Sequence, residues 1–257
     1  MGKRLIGIDL DAGVLRLAIL TQEKGKAAQI SLAEKPYEGD EGLAAALGDL
    51  LGGELHYGDR FATALPARDG FVRRLTFPFS DPKKLTAALS FELATQLPLP
   101  VETCLTDFQK PIAGPENNYI VTAGAVRVET IASSLAPFDA SQIPLHFLDL
   151  APFAYATGLR EQIPEGILIC LKQQEATIAL ILDERVVDYR ILSINLNASP
   201  ESLAQALLLE SSALQRGADR NDLPLYLIGS KATEALRHRL QQTGQKVRVQ
   251  DRKRTRA

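Results

Sequence analysis

Two carboxylates and a glycine near the N-terminus, Asp9, Asp11 and Gly13, are the residues of this chain whose types and spacing best suit chemistry. They lie in the stretch from Leu5 to Leu20, where an apolar run stops at a turn cluster and then resumes. That pattern predicts strand, tight turn, strand. In such a turn backbone N–H groups can approach a phosphate, and an acid leaving the first strand can position Mg²⁺ through water. Asp11, however, stands where close phosphate approach calls for glycine, and a second carboxylate repels a triphosphate unless a cation intervenes.

A second copy of the pattern runs from Ile167 to Leu182 and overlays the first when Asp9 is set against Leu171. A third strand follows each pair, near Ala28 to Ala33 in the first half and Val186 to Leu192 in the second. Two three-stranded meanders, each opening one half of the chain, predict a duplicated α/β fold. The chemistry is not duplicated with it. Leu171 cannot take a proton or hold a metal, and the turn beneath it, Lys172-Gln173-Gln174-Glu175, has no glycine.

The remaining composition narrows the classes. With 257 residues, 46% apolar and 23% charged, the chain suits one large or two intimate domains of an ordinary globular protein. No apolar run is long enough to cross a bilayer, and the opening Met1-Gly2-Lys3-Arg4 lacks a signal-peptide pattern. Cys104 and Cys170 make no disulfide framework and read as reduced thiols. His56, His146 and His238 have no metal-ligand spacing, so neither a metal site nor a nucleophile triad is expected, and no residue is assigned a catalytic role. From residue 246 onward six basic residues face one acid, a local charge of +5 on a body of −7. Without aromatic residues to stack on bases, that tail argues against nucleic acid.

Between the meanders the elements alternate. Glu41–Leu51 reads as a helix, Arg60–Leu65 as a strand, and Phe71-Val72-Arg73-Arg74-Leu75-Thr76-Phe77-Pro78-Phe79 as a strand with an exposed face. Asp81 caps and Pro82 opens a helix to about Gln96, with Leu85, Leu89, Leu93 and Leu97 on one stripe and Glu92 beside it. A buried Glu92 would need a cation, and Arg73 or Arg74 is the nearest in sequence. Strands follow at Leu105–Gln109, Tyr119–Val126 and Leu145–Asp149, with helices at Arg127–Pro137 and Ala151–Glu161. Ser199 and Pro200 start a helix that Gly217 stops. Then come the buried strand Leu225–Ser230 containing Gly229, a helix from Thr233 to Gln242, and the short strand Val247–Val249.

The order of these parts resembles the family of PilM, from type IV pilus assembly, and the cytoplasmic domain of GspL, from type II secretion. The resemblance rests on the Asp9 hairpin, Arg73-Arg74-Leu75-Thr76-Phe77-Pro78, the helix bearing Phe91 and Glu92, Leu97-Pro98-Leu99-Pro100, Asp107-Phe108-Gln109, and Tyr119 to Asp149. It implies an actin-like ATPase fold of duplicated ribonuclease H-like halves with a small inserted subdomain. On that reading 1–66 and 118–150 form the first actin-like subdomain and 67–117 the insert, while 151–245 form the second subdomain and 246–257 a basic tail. It further implies vestigial nucleotide contacts at Asp9, Asp11, Gly13 and Gly229, and partner contacts at Arg73, Arg74, Pro78, Phe91 and Glu92. ATP binders of the family carry Asp-x-Gly in both hairpins and paired glycines at adenosine. Here one acid of the two survives and the loop Leu227-Ile228-Gly229-Ser230-Lys231 has one glycine.

The expectation is therefore a GspL-like scaffold without catalysis or cofactor, at the cytoplasmic face of a bacterial inner membrane. Its implied partners are a GspE-like motor ATPase and platform proteins resembling GspM, GspF or PilN. A second copy in a homodimer is a further expectation, as is a membrane surface meeting the basic tail ahead of a membrane helix beyond residue 257. The competing expectation is a PilM-like protein that binds ATP with Mg²⁺ and a membrane partner's tail, or an actin-like ATPase or kinase.

Overall fold

The computed structural model describes residues 3–11, 13–23, 25, 27–52, 55–172, 174–195 and 198–249. These form two compact units, residues 3–65 with 129–150, and residues 66–128 with 151–249. In chain order the first half has strands β1 (Lys3–Asp11), β2 (Val14–Gln22) and β3 (Gln29–Pro36), helix α1 (Gly39–Leu51), and β4 (Arg60–Leu65). Next come β5 (Gly70–Phe77), α2 (Pro82–Ala94), β6 (Cys104–Phe108), β7 (Ile112–Ala113), β8 (Tyr119–Arg127), α3 (Val128–Ala140) and β9 (Leu145–Leu150). The second half has α4 (Ala151–Leu159), β10 (Gly166–Leu171), β11 (Glu175–Leu182), β12 (Arg185–Ser193), α5 (Pro200–Gly217), β13 (Leu225–Ile228), α6 (Glu234–Gln242) and β14 (Val247–Val249).

The first unit is built on a sheet of order β3-β2-β1-β4-β9, three antiparallel strands followed by two parallel ones. Ile6, Ile8, Leu15, Leu17 and Phe61 point to one face and pack with Leu43, Ala46 and Leu47 of α1 and Phe138 of α3. Both helices of the unit thus cover the same face. Asp59, with a side chain 3% exposed, ties the start of β4 to β1. Its Oδ1 and Oδ2 accept from Arg4 Nε (2.9 Å) and Nη2 (2.5 Å), and Oδ2 also accepts from the His56 N–H at 2.9 Å.

The second unit contains a sheet of the same order, β12-β11-β10-β13-β14, so the duplication expected from the two meanders is present. Here both faces are covered. Ile167, Ile169 and Leu171 pack with Ala204, Leu207 and Leu214 of α5 and Leu236 and Leu240 of α6. On the other face Leu168, Ala179 and Ile181 pack with Ala156 of α4. The helix starts follow their capping residues, since Asp81, Ser199 and Thr233 each accept an N–H of the first turn.

A third sheet, β5-β8-β6 with β7 also on β8, carries the leucine stripe of α2. Two boundaries expected from the sequence are corrected by it and by its neighbour. The sequence reading places residues 118–127 in the first actin-like subdomain, but β8 is the central strand of the inserted sheet. Its Val121, Ala123 and Ala125 are fully buried with Leu85, Leu89 and Leu93, and β5 and β6 have no partner without it. The tail was assigned from residue 246, but Val247–Val249 pairs in parallel with β13, and Lys246 O accepts the Leu225 N–H at 2.8 Å. Arg248 lies 5.8 Å over the Tyr226 ring. Arg252, Lys253, Arg254 and Arg256 lie outside the described residues.

Hydrogen bonds join the inserted sheet to β12 and its neighbours. The Tyr189 hydroxyl is 2.8 Å from Ala67 O and 2.9 Å from Gly70 O, where it can donate to either, and Arg185 Nη1 donates to Lys110 O at 2.7 Å. Burial pushes the Tyr189 phenol well above its ordinary value, and Asp188 adds to the shift.

The Arg4 guanidinium holds the Asp59 carboxyl below the usual carboxylate range, outweighing the opposing effect of burial. The unfolded chain then binds more protons over that interval, so this part of the stability is complete above about pH 4 and is lost as pH falls through the lowered value. Asp59→Asn should cost about 2–3 kcal/mol at neutral pH and flatten the stability loss below pH ~4. Urea unfolding from pH 2 to 7 measures both.

Candidate functional site

The acidic hairpin is closed by internal contacts. Asp11 pairs with Val14, and the turn glycine Gly13 has a φ of +76°, a value that favours glycine. Its carbonyl accepts the Tyr37 N–H at 2.8 Å, and a Cβ at residue 13 would sit 3.2 Å from Tyr37 O. Asp9 faces Arg16 across β1–β2, and Arg16 faces Glu34 across β2–β3. Arg16 Nη1 lies 3.4 Å from Asp9 Oδ2 and 3.6 Å from Asp11 Oδ2, and its Nε lies 3.4 Å from Glu34 Oε2. Cross-strand neighbours of opposite charge stabilise a sheet. Three carboxylates thus share one guanidinium, held on the strand where a cation would otherwise have to come from solution. Burial, then Asp40, Asp11 and Asp9, raise the Tyr37 phenol above its usual value.

In the second hairpin the Lys172 N–H donates to Glu175 O at 2.9 Å, so two residues form the turn, as between Asp11 and Val14. Aligning turn with turn places Cys170 at the position of Asp9 and Lys172 at that of Asp11. The overlay on Leu171 expected from the sequence is therefore one residue out of register. Ile167, Ile169 and Leu171 face α5 as Ile6, Ile8 and Leu10 face α1, and a slip of one would turn that set to the other face. The corrected position still carries no acid. Cys170 is 5% exposed, and Glu175 is bound to Arg68 at 2.7 Å.

Gly229 ends β13 with a φ of +102°. A Cβ there would fall 2.2 Å from Leu171 O and within 3 Å of Leu171 C and N. This glycine is required by the approach of its own backbone to β10.

The five residues expected to meet partners lie in the inserted sheet and its helix. Arg73 is turned inward on the fold, its Nε and Nη2 donating to Gln96 O at 3.3 and 3.2 Å and its Nη1 to Val72 O at 2.8 Å. It therefore closes the end of α2 and does not neutralise Glu92, which is exposed at the surface. Arg74 and Pro78 are exposed, and Phe91 is 78% exposed on the outer side of α2. Arg73 and Arg74 also line a cleft of about 260 Å³ with Val72, Asp188, Leu214 and Gly217. Burial raises the Asp188 carboxyl, partly offset by the Tyr189 N–H and by Arg190, Arg73 and Arg74. Sequence reasoning missed Asp188, because nothing in a strand of the second half announces contact with the insert.

Fold and hairpins together define the class: the chain has the actin-like ATPase fold, with mixed α/β architecture. Among solved structures it is similar to the PilM–PilN type IV pilus biogenesis complex, at 19% identity and a TM-score of 0.71 over 96% of this chain and 88% of that one. It is also similar to the cytoplasmic domain of EpsL, an inner membrane component of the type II secretion system of Vibrio cholerae (11% identity, TM-score 0.61, 99% and 88% covered). A third is a Bacteroides thetaiotaomicron protein of actin-like ATPase fold and unknown function (12%, 0.56, 96% and 91%). No protein-family model and no curated protein matches the sequence.

The fold implies a nucleotide with Mg²⁺, and the residues present do not fit that group. The first hairpin's acids are engaged by Arg16, and the second hairpin offers a lysine and a buried thiol in place of acids. Among the described residues no cluster of His, Cys, Asp and Glu could hold a metal ion, and no helix is long and apolar enough to cross a membrane.

Gly229→Ala should destabilise the fold by roughly 2–3 kcal/mol through the clash with Leu171, read as a lower urea midpoint. Arg16→Gln removes the guanidinium that Asp9, Asp11 and Glu34 share and should cost about 1 kcal/mol at low salt, less at 1 M salt. Thermal melts at the two ionic strengths measure that difference.

Proposed function

We propose that this protein is a non-catalytic scaffold of a bacterial inner-membrane assembly platform, joining a motor ATPase to membrane components of a pilus or secretion machine. The observation that carries the proposal is the Arg16 bridge. In an actin-like body whose hairpin acids share a guanidinium from the neighbouring strand, the hairpin holds together without a bound cation. The likenesses to PilM in complex with PilN and to EpsL support a PilN-like membrane partner and a location at the cytoplasmic face of the membrane. The higher similarity to PilM supports the pilus branch over the secretion branch. Arg74, Pro78, Phe91 and Glu92 are the contacts proposed for the motor ATPase. A large exposed aromatic beside charged groups is the composition of a binding hot spot. Self-association remains part of the proposal, with no surface assigned to it.

Two measurements test it. Millimolar Mg-ATP should leave the thermal midpoint unchanged, because a ligand binding only the native state must raise it. A rise of several degrees favours the ATP-binding reading. Capture of the cognate motor ATPase at low salt should fall at least tenfold in Phe91→Ala with the fold intact, and an undiminished capture removes α2 from the contact.

A further inference from the structure

The inserted sheet leaves the chain after β4 and returns to it at α3, yet it belongs to the same compact unit as the second half. Within that unit β5 and β12 are end strands of separate sheets, and they meet through side chains without a shared ladder. Val72, Leu180, Val187 and Leu214 are buried at the junction, where the cleft of about 260 Å³ also lies. Apolar contact of this kind is non-directional, so it brings two sheets together without fixing the angle between them. Hydrogen bonds and bidentate or forked ion pairs are directional and can fix it.

Among the described residues three side-chain ties cross the junction, and they are spread along β12. At its start Arg185 Nη1 donates to Lys110 O at 2.7 Å. At its middle the Tyr189 hydroxyl lies 2.8 Å from Ala67 O and 2.9 Å from Gly70 O. Beside its end Arg68 Nη1 donates to Glu175 Oε2 at 2.7 Å, and Glu175 of β11 pairs with Ser193, the last residue of β12. Positions 185, 189 and 193 are evenly spaced, so at about 3.3 Å per residue the ties span roughly 26 Å. On the insert they reach both flanks of β8. Ala67, Arg68 and Gly70 stand at the entry to β5, and Lys110 lies between β6 and β7 on the opposite side. A body tied at one point can pivot, whereas one tied at both ends and the middle cannot turn without breaking a bond. Burial raises the Tyr189 phenol, so its hydroxyl stays a donor across the ordinary pH range.

We propose that the inserted sheet is a rigid arm of the second half, and that a displacement applied to α2 passes through these ties to β12 and β11. Naming the motor ATPase as what moves α2 rests on the function proposed above. The rigidity of the arm does not, and its test needs no partner.

Spin labels at Ser90→Cys on α2 and Gln205→Cys on α5, both exposed positions, report the arm by double electron–electron resonance. The background is the full chain with Cys104→Ser, which keeps the buried Cys170. A reference pair, Thr157→Cys with Gln205→Cys, lies on α4 and α5 of the second half alone. With the ties intact, the Ser90–Gln205 distance distribution should be as narrow as the reference. Arg68→Ala, Arg185→Ala and Tyr189→Phe together should widen it at least twofold and leave the reference unchanged. If the triple variant does not fold, Arg68→Ala with Arg185→Ala keeps the central tie as a pivot and should give an intermediate widening. A broad Ser90–Gln205 distribution with the ties intact overturns the proposal, as does a width that their removal does not alter. A reference that widens equally also overturns it, because the lost order would then lie inside the second half. Capture of the motor ATPase by Phe91→Ala is read separately, so neither result decides the other.

Discussion

A strand can turn only every second side chain toward a given face, and both halves of this protein are organised by that alternation at their first hairpins. In β1 the set Ile6, Ile8 and Leu10 goes to the helices, which leaves Leu5, Gly7, Asp9 and Asp11 on the other face. In β10 the set Ile167, Ile169 and Leu171 goes to α5 and α6, leaving Leu168 and Cys170 opposite. Once the cores take those residues, the chemistry of the remaining face is fixed. It is mixed in the first half, where Leu5 and Gly7 stand beside Asp9 and Asp11, and apolar beneath α4 in the second.

The acids that alternation leaves on β1 carry their own counter-charge. Arg16 sits on the next strand at the same level, between Asp9 and Glu34, so strand pairing itself delivers the guanidinium. The guanidinium offsets part of the carboxylates' mutual repulsion without a ligand. The second hairpin needs no such device, because it holds Cys170 and Lys172 where the first holds Asp9 and Asp11. The two halves thus share one packing pattern and differ in their polar positions.

The inserted sheet follows a different constraint. Its four strands and α2 enclose a core of their own, with Leu85, Leu89 and Leu93 against Val121, Ala123 and Ala125. It is completed by β8 at its centre and its surroundings are tied to β12 by Tyr189 and Arg185 and to β11 by the Arg68–Glu175 pair. That anchoring leaves the outer side of α2, with Phe91, exposed.

Much of this was legible in the residues. Apolar periodicity located the second meander, the strand Arg60–Leu65 and the helix after Ser199 to within a residue or two, because burial on one face is a local pattern, whereas the exposed third strand of the first meander runs three residues past its expected end. Gly13, Asp81 and Ser199 were legible because turn and cap geometry restrict residue type locally. The register of the second hairpin was not, since an unbroken apolar strand buried on both faces looks the same when shifted by one. Nor was the place of β8, whose residues would suit either sheet. The sequence alone determined which segments are strands and helices, and that the second hairpin has no acid at the end of its first strand. Only the tertiary structure decided that Arg16 meets Asp9, Asp11 and Glu34, that Gly229 serves Leu171, and that β8 completes the inserted sheet. Those outcomes depend on pairing between segments distant in the chain, and pairing partners are set by the packing of the whole.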